Sequence, residues 1–426
     1  MAGALISIAL LLGLLAIGAP MIVAMILAVA LNFLFAGQWP LVLPQTMVAG
    51  MSTFTLIALP LFVLAGVTMN AGGISGRLFE FARALVGWLQ GGLAHVNVLT
   101  SMFFGGMIGS STADLAGSGS ILIPAMKREK YPAPIAAAVS ASSSGIGPLI
   151  PPSSPMILYS AITGTSLGAL FLAGLIPGIL LGLTFMVLVA FIAGRRGWPR
   201  HGMLVLCDIW ISGKRAALAF GMPAIIVGGL VLGVFTPTEA GAFGVAYSIF
   251  ISVFAYRSLK LRSLYRVFVN AVQLTGELLL IVSLSFALGS SLASAHVPQL
   301  LASVIDSIIV VDSTYFRLLA LIFLAVIAGM FLDPLIPVLV PVILPTLLLF
   351  QIDLVHFGVL MVIAVVIGQL TPPLAIALII TGRIAMCDQV QILKANMPFF
   401  FAIVGFLLVL MAIPELSTWL PSIARN

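Results

Sequence analysis

Charge is what this sequence has least of. Only 7% of its 426 residues are Asp, Glu, Lys or Arg, against 62% hydrophobic, and the mean hydropathy is +1.27. A soluble domain carries roughly 25% charged residues, so no water-soluble globule could hide this much apolar surface. Residues 1–76 and 131–194 contain no Asp, Glu, Lys, Arg or His at all. A membrane helix takes about 20 apolar residues, and the chain has room for on the order of a dozen membrane segments. Other scarcities exclude other classes. Cys207 and Cys387 lie too far apart for a redox or metal spacing, and the four histidines share none, so no transition-metal site is expected. There is no Walker A sequence and therefore no sign of an ATP motor in this chain. No Ser–His or paired-Asp arrangement stands out, so an enzyme is not expected. The apolar runs are continuous, without the alternation of an outer-membrane barrel. No basic region precedes the first run, so residues 4–35 are expected to stay in the membrane, as one span kinked at Pro20 or as two shorter pieces.

The few basic residues cluster between apolar runs, which marks membrane orientation and not a nucleic-acid surface. Arg77/Arg83, Lys127/Arg128/Lys130, Arg195/Arg196/Arg200, Lys214/Arg215, Arg257/Lys260/Arg262/Arg266 and Arg383/Lys394 read as cytoplasmic. Residues 36–53, the Thr236–Glu239 turn and residues 291–316 read as external, with Arg317 a mild exception. Trp39, Trp88, Trp198, Trp210 and Trp419 fall at ends of apolar runs, where interfacial anchors belong.

Two apolar stretches do not fit full crossings. Between the clusters at 77–83 and 127–130 lie only the apolar residues 95–125, whereas two spans need roughly 40 residues. This stretch is expected to enter and return as a re-entrant hairpin, breaking within Gly105-Gly106-Met107-Ile108-Gly109-Ser110-Ser111-Thr112-Ala113-Asp114. Residues 317–350 read as a second hairpin from the opposite side, with its tip near Gly329–Pro334. Such a turn is forbidden against lipid, so each tip must face protein or water. An apolar helix with a proline-rich break follows each hairpin: Gly145-Ile146-Gly147-Pro148-Leu149-Ile150-Pro151-Pro152, then Gly368-Gln369-Leu370-Thr371-Pro372-Pro373. Pro124/Pro345, Gly147/Gly368 and Pro151/Pro372 are all separated by 221 positions. Matching hairpins from opposite faces, each with a discontinuous helix, describe an inverted-topology repeat, the architecture of secondary transporters. The expected fold is an all-α polytopic membrane protein with this repeat. Its divisions are N-terminal scaffold spans and an amphipathic linker helix (1–94), a first repeat core (95–194), and a basic loop with scaffold spans and an external arm (195–316). A second repeat core (317–396) and a C-terminal span (397–426) complete it.

These breaks, together with Phe235-Thr236-Pro237-Thr238-Glu239-Ala240-Gly241, Leu59-Pro60-Leu61-Phe62, Asn70-Ala71-Gly72-Gly73 and the Gly-Ser-Ser-Thr-Ala-Asp hairpin, resemble the large membrane subunit of a TRAP (tripartite ATP-independent periplasmic) transporter. The resemblance covers essentially the whole chain. It implies a bacterial inner-membrane protein that takes up an organic acid anion with Na⁺ by an elevator-type movement. It also implies two partners, a small four-helix membrane subunit and a soluble periplasmic binding protein. Two departures stand out: Pro334-Leu335-Ile336-Pro337 follows Asp333 at a tip shorter than usual in the family, and Ala375 replaces the glycine usual after the proline pair.

Sodium is a hard cation that takes oxygen ligands, as the other hard cations do, and unwound backbone supplies carbonyls. The first ion site is placed on Ser110, Ser111 and Thr112 of the tip with Ser144, Gly145 and Gly147 of the break. The second is placed on Gly329 and Asp333 with Gly368 and Thr371. An organic carboxylate between the tips would take hydroxyls from Ser143, Ser153 or Thr371, while Pro148, Pro151, Pro152, Pro372 and Pro373 keep the breaks from healing into helix. Asp114 and Asp333 are ionisable groups within apolar stretches read as lying in the membrane, where such groups usually carry function. No cofactor beyond the coupling ion is expected. Proton coupling through these carboxylates, or a passive channel, is the alternative.

Overall fold

A computed structural model describes residues 2–37, 41–198, 203–308 and 313–424; Trp39 and Arg200 lie outside them. Every regular element among the described residues is helical. At the N-terminus, α1 (Ala2–Ala16) packs against α2 (Met21–Phe35), and the chain reverses at Gly18, whose φ is +83°. Pro20 therefore follows a turn between two helices instead of kinking one span. Next come α3 (Val42–Met51), α4 (Ala58–Ala71) and α5 (Ile74–Val86). The last is amphipathic and buries the stripe Ile74, Leu78, Ala82, spaced four apart as one helix face requires.

The first hairpin is α6 (Gly92–Ile108) folded back on an arm made of α7 (Ser111–Asp114), a π turn (Leu115–Gly119) and α8 (Ser120–Arg128). The first broken helix is α9 (Ala133–Ser143), a 3₁₀ turn (Ser144–Leu149) and α10 (Ser154–Thr163), bent by 42°. Then α11 (Leu167–Arg196) leads into α12 (Leu206–Val231), α13 (Pro237–Phe250), α14 (Leu261–Ser294) and α15 (Val297–Ile308). A second hairpin, α16 (Thr314–Gly329) and α17 (Leu335–Leu349), precedes a second broken helix, α18 (Leu354–Leu370) and α19 (Ile376–Ala385). The chain closes with α20 (Gln389–Ala412), which runs through residue 397, and α21 (Glu415–Ala424). Among the described residues, six helices are long and apolar enough to cross a bilayer, seven when α9 and α10 count as one bent span.

The 221-residue register is visible element by element. Ala133–Leu149 and Leu354–Leu370 are equivalent helices of equal length. Pro177 inside α11 answers Pro398 inside α20. The turns between hairpin and broken helix repeat as well: Lys130 and Gln351 both have positive φ, and Tyr131 N–H to Met126 O recurs as Ile352 N–H to Leu347 O.

The two broken helices run in opposite directions. Lys127, at the end of α8 where α9 is about to begin, donates through Nζ to the Ala385 carbonyl at the end of α19 at 2.6 Å. At the other end, Tyr159 in α10 donates to the carbonyl of Leu354, the first residue of α18, at 2.8 Å. The start of one therefore meets the end of the other.

Contacts also gather the basic clusters on one face. Arg83 approaches Glu129 at 4.0 Å, Arg215 approaches Glu80 at 3.8 Å, and Arg77 stacks over the Tyr256 ring at 3.8 Å. Tyr131 packs on Trp198, next to Arg195 and Arg196, and Lys127 lies beside the end that carries Arg383. Both ends of the first hairpin lie on this face. The second hairpin has its two ends together elsewhere, where Arg317 pairs with Asp306 at 2.9 Å and lies over the Phe350 ring.

Helix α19 stops at Met386, which is exposed and left-handed at φ +54°. A side chain there strains the backbone without packing on anything, whereas glycine fits. Met386→Gly should raise stability by about 0.5–1 kcal/mol, read as a higher unfolding midpoint in detergent.

Candidate functional site

The site is built where each hairpin tip meets the break of its own repeat. At the first tip, Gly109 turns the chain with φ +59°, and a Cβ there would lie 1.8 Å from the Pro152 carbonyl oxygen. Only glycine allows this approach. The Gly109 carbonyl accepts from Ser154 N–H at 3.3 Å, which stitches tip to break. Ser110 is extended and caps α7, its Oγ 3.5 Å from Ala113 N and 3.1 Å from Thr112 Oγ1. Below the tip, a Cβ on Gly105 would come within 2.9 Å of Gly147 Cα, and Gly145 lies flat against Val366 of α18. Glycine at 145 and 147 and proline at 148 turn the end of α9 into a 3₁₀ turn, because proline removes a donor and glycine lets backbones close up. Residues Ile150 to Ser153 then run outside any helix, and Ser153 restarts the chain as the cap of α10 by accepting from Met156 N–H at 3.3 Å.

The second junction repeats the scheme with different side chains. A Cβ on Gly368 would meet the carbonyl carbon and oxygen of Gly329 at 2.6 Å, so the end of α16 lies directly on α18. Asp333 sits in the tip between α16 and α17. Thr371 ends α18 in an extended conformation and returns its hydroxyl to the Ile367 carbonyl at 2.6 Å. Pro372 and Pro373 follow, and Ala375 starts α19 with φ +44°, in the left-handed region that favours glycine.

One residue that sequence reasoning did not single out ties the two junctions together. Gln369 accepts from Ser111 Oγ at 2.6 Å and donates through Nε2 to Asp333 Oδ1 and Oδ2 at 3.3 and 3.4 Å. It is the only amide side chain in residues 354–385, an available signal.

The remaining candidates are distributed as follows. Ser143 turns to the α6 arm: it accepts from Ser101 at 3.1 Å and donates to Asn97 Oδ1 at 3.2 Å, beside Asn97 Nδ2 to Ser140 Oγ at 2.6 Å. Its neighbour Ser142 donates to Asn396 Oδ1 of α20. Ser144 bonds back to the Ala141 carbonyl at 2.8 Å, and Ser153 donates to the Pro148 carbonyl. Their hydroxyls thus already have partners in the protein. Asp114 is buried, with Oδ1 receiving Ser118 Oγ at 2.5 Å. Glu239 forms a capping box with Thr236 at the start of α13, and Glu277 is exposed. No group of three or more His, Cys, Asp or Glu placed to hold a metal ion occurs among the described residues.

What the junctions offer chemically is oxygen: hydroxyls of Ser110, Ser111 and Thr112, the Asp333 carboxylate, and carbonyls at two helix ends. That set suits a hard cation better than a transition metal.

Fold and junctions define a multi-pass helical membrane protein of transporter type. A family model described as the tripartite ATP-independent periplasmic transporter, DctM component, matches residues 8–416, and the chain belongs to that family. Among its relatives, the sialic acid TRAP transporter permease SiaT of Haemophilus influenzae is 34% identical over 96% of this chain, which spans 66% of the relative's length. The C4-dicarboxylate TRAP transporter large permease DctM of Pseudomonas aeruginosa is 35% identical, covering 87% of this chain and 86% of that one. The crystal structure of the Alcanivorax borkumensis YdaH transporter shares the fold, with a TM-score of 0.52 at 14% identity over 86% of this chain and 87% of that one.

Proposed function

We propose that this chain is the translocating subunit for an organic acid anion, carried inward across the bacterial inner membrane together with Na⁺. The observation that carries this reading is the meeting of two hairpin tips, on two oppositely directed broken helices, at one hydrogen-bonded junction around Gln369. Opposed half-helices with their unwound ends at a common centre are the arrangement that holds coupling ions and substrate in secondary transporters. Ser110, Ser111, Thr112, Gly145 and Gly147 supply one Na⁺ site. Gly329, Asp333, Gly368 and Thr371 supply the other, and the anion binds between the tips once the cations have offset Asp333. Relatives named for sialic acid and C4-dicarboxylates support an organic acid as cargo.

The basic face is read as cytoplasmic, with the first hairpin re-entrant from that side and the second from the periplasm. The hairpins and broken helices move as a carriage against a scaffold including α4, α12, α13 and α14. A small four-helix membrane subunit and a periplasmic binding protein complete the system, as the three parts in the family's description support. Each net positive charge moved inward gains about 2.3 kcal/mol per 100 mV, enough to drive accumulation.

The test is uptake in proteoliposomes, with the products of neighbouring reading frames supplied as candidate partners. Saturable uptake that needs an inward Na⁺ gradient and the binding protein is expected. Flux in sodium-free buffer driven by a pH gradient favours proton coupling, and non-saturating flux without a binding protein makes the chain a channel. Orientation has its own check. Cys207 is exposed, whereas Cys387 is half-buried and burial pushes its thiol up, so less thiolate is available at neutral pH. An impermeant maleimide should label Cys207 rapidly in inverted membrane vesicles and Cys387 slowly, with the Cys387 rate rising with pH. Rapid labelling of Cys207 in sealed right-side-out vesicles and not in inverted ones would reverse the topology.

A further inference from the structure

We propose that Gln369 is a positioning residue that couples the two halves of the site, holding Ser111 of the first tip and Asp333 of the second with opposite ends of one amide. Coupling of this kind presupposes the Na⁺ sites described above. Ser111 and Gln369 are 258 positions apart, so the 2.6 Å bond joins one repeat to the other. The remaining bonds of the strap, at 3.3 and 3.4 Å, reach across the second junction to Asp333.

An amide carries its acceptor and its donors at fixed places on a rigid plane. Turned over, it would set its oxygen against the Asp333 carboxylate, so Asp333 fixes the plane and the plane fixes the direction of the Ser111 proton. Among the described residues, Gln369 is the only side chain that bonds either Ser111 Oγ or the Asp333 carboxylate. A cation that orders either tip therefore orders the amide, and through it the opposite tip. The conformational cost of preparing the site is met by the first ion and not repeated for the second, which is positive cooperativity without any further contact.

The strap exists once. The position equivalent to Gln369 in the first repeat is Pro148, which has no side-chain donor. The device is thus not a by-product of the duplicated geometry.

Equilibrium binding of radiolabelled Na⁺ to the full-length purified chain in nanodiscs tests this directly. Two ions should bind the native protein with a Hill slope well above one. In Gln369→Met, which keeps volume but loses the amide, both ions should still bind with a slope near one, and the half-saturating concentration should rise about fivefold or more. Gln369→Asn keeps the amide but is one methylene too short to reach both partners, and should give the same flattening; it serves if the methionine variant does not fold. Two ions with an unchanged slope in both variants overturns the coupling while leaving the ion sites intact. Loss of one bound ion makes Gln369 a ligand and also overturns it. A native protein that binds no Na⁺ saturably overturns the sodium reading and the coupling with it.

Discussion

Gly109→Ala and Gly368→Ala should each abolish uptake and destabilise the purified protein by about 3 kcal/mol, because the new methyl overpacks against backbone. The obstacle at each position is main chain, which cannot rotate aside. At Gly109 the new methyl would overlap the Pro152 carbonyl, and φ is positive besides. At Gly368 it would drive into Gly329, pushing the second hairpin off its broken helix. Both changes add a single carbon, so loss of function cannot be ascribed to new chemistry. Gly76→Ala is the control: nothing lies within 4 Å of its Cβ position and it sits inside α5, so it should be neutral or stabilising by up to about 1 kcal/mol. Thermal unfolding in detergent, with uptake measured alongside, separates the cases. Wild-type behaviour of Gly368→Ala would mean that the second hairpin does not rest on α18.

The second large effect is expected at Asp333. Asparagine there keeps the shape of the side chain but removes its charge, and it alters the group that receives Gln369. The half-saturating Na⁺ concentration for uptake should rise at least about tenfold, the equivalent of about 1.4 kcal/mol. Adding Thr371→Ala should increase the loss. Unchanged Na⁺ dependence in the double variant would remove the second ion site from the reading. If flux instead loses its response to a pH gradient, Asp333 is a proton carrier.

The parts of this fold that can be read in the sequence are those set by the local chain. Proline cannot donate and glycine tolerates left-handed backbone, so Gly147-Pro148 and Gly368 with Pro372-Pro373 announce where helices stop, and the equal spacing announces the repeat. The register extends further than those motifs, to Lys130/Gln351 and Pro177/Pro398. What the sequence does not disclose is which way a polar side chain turns once the helix has formed. Ser142, Ser143 and Ser144 are consecutive, yet they face Asn396, the Asn97–Ser101 arm and their own helix, respectively. Helical spacing sends neighbours about 100° apart, and only the partner helices decide which face is the site. The sequence marks Gln369 as the only amide in residues 354–385 but hides its role for the same reason: both its partners come from elsewhere in the chain. The turn at Gly18 was hidden because two short apolar helices and one long kinked helix share a composition.

The exact offset between the two halves has an experimental use. One polypeptide holds two solutions to the same construction problem, so each position in the repeated segments has a counterpart in the other half. Where both copies keep a glycine or a proline, shape is what is required; where they differ, as Pro148 differs from Gln369, a task has been given to one half alone. Exchanging such counterparts, one pair at a time, would sort the architecture of this molecule from its ion chemistry with no other protein needed for reference.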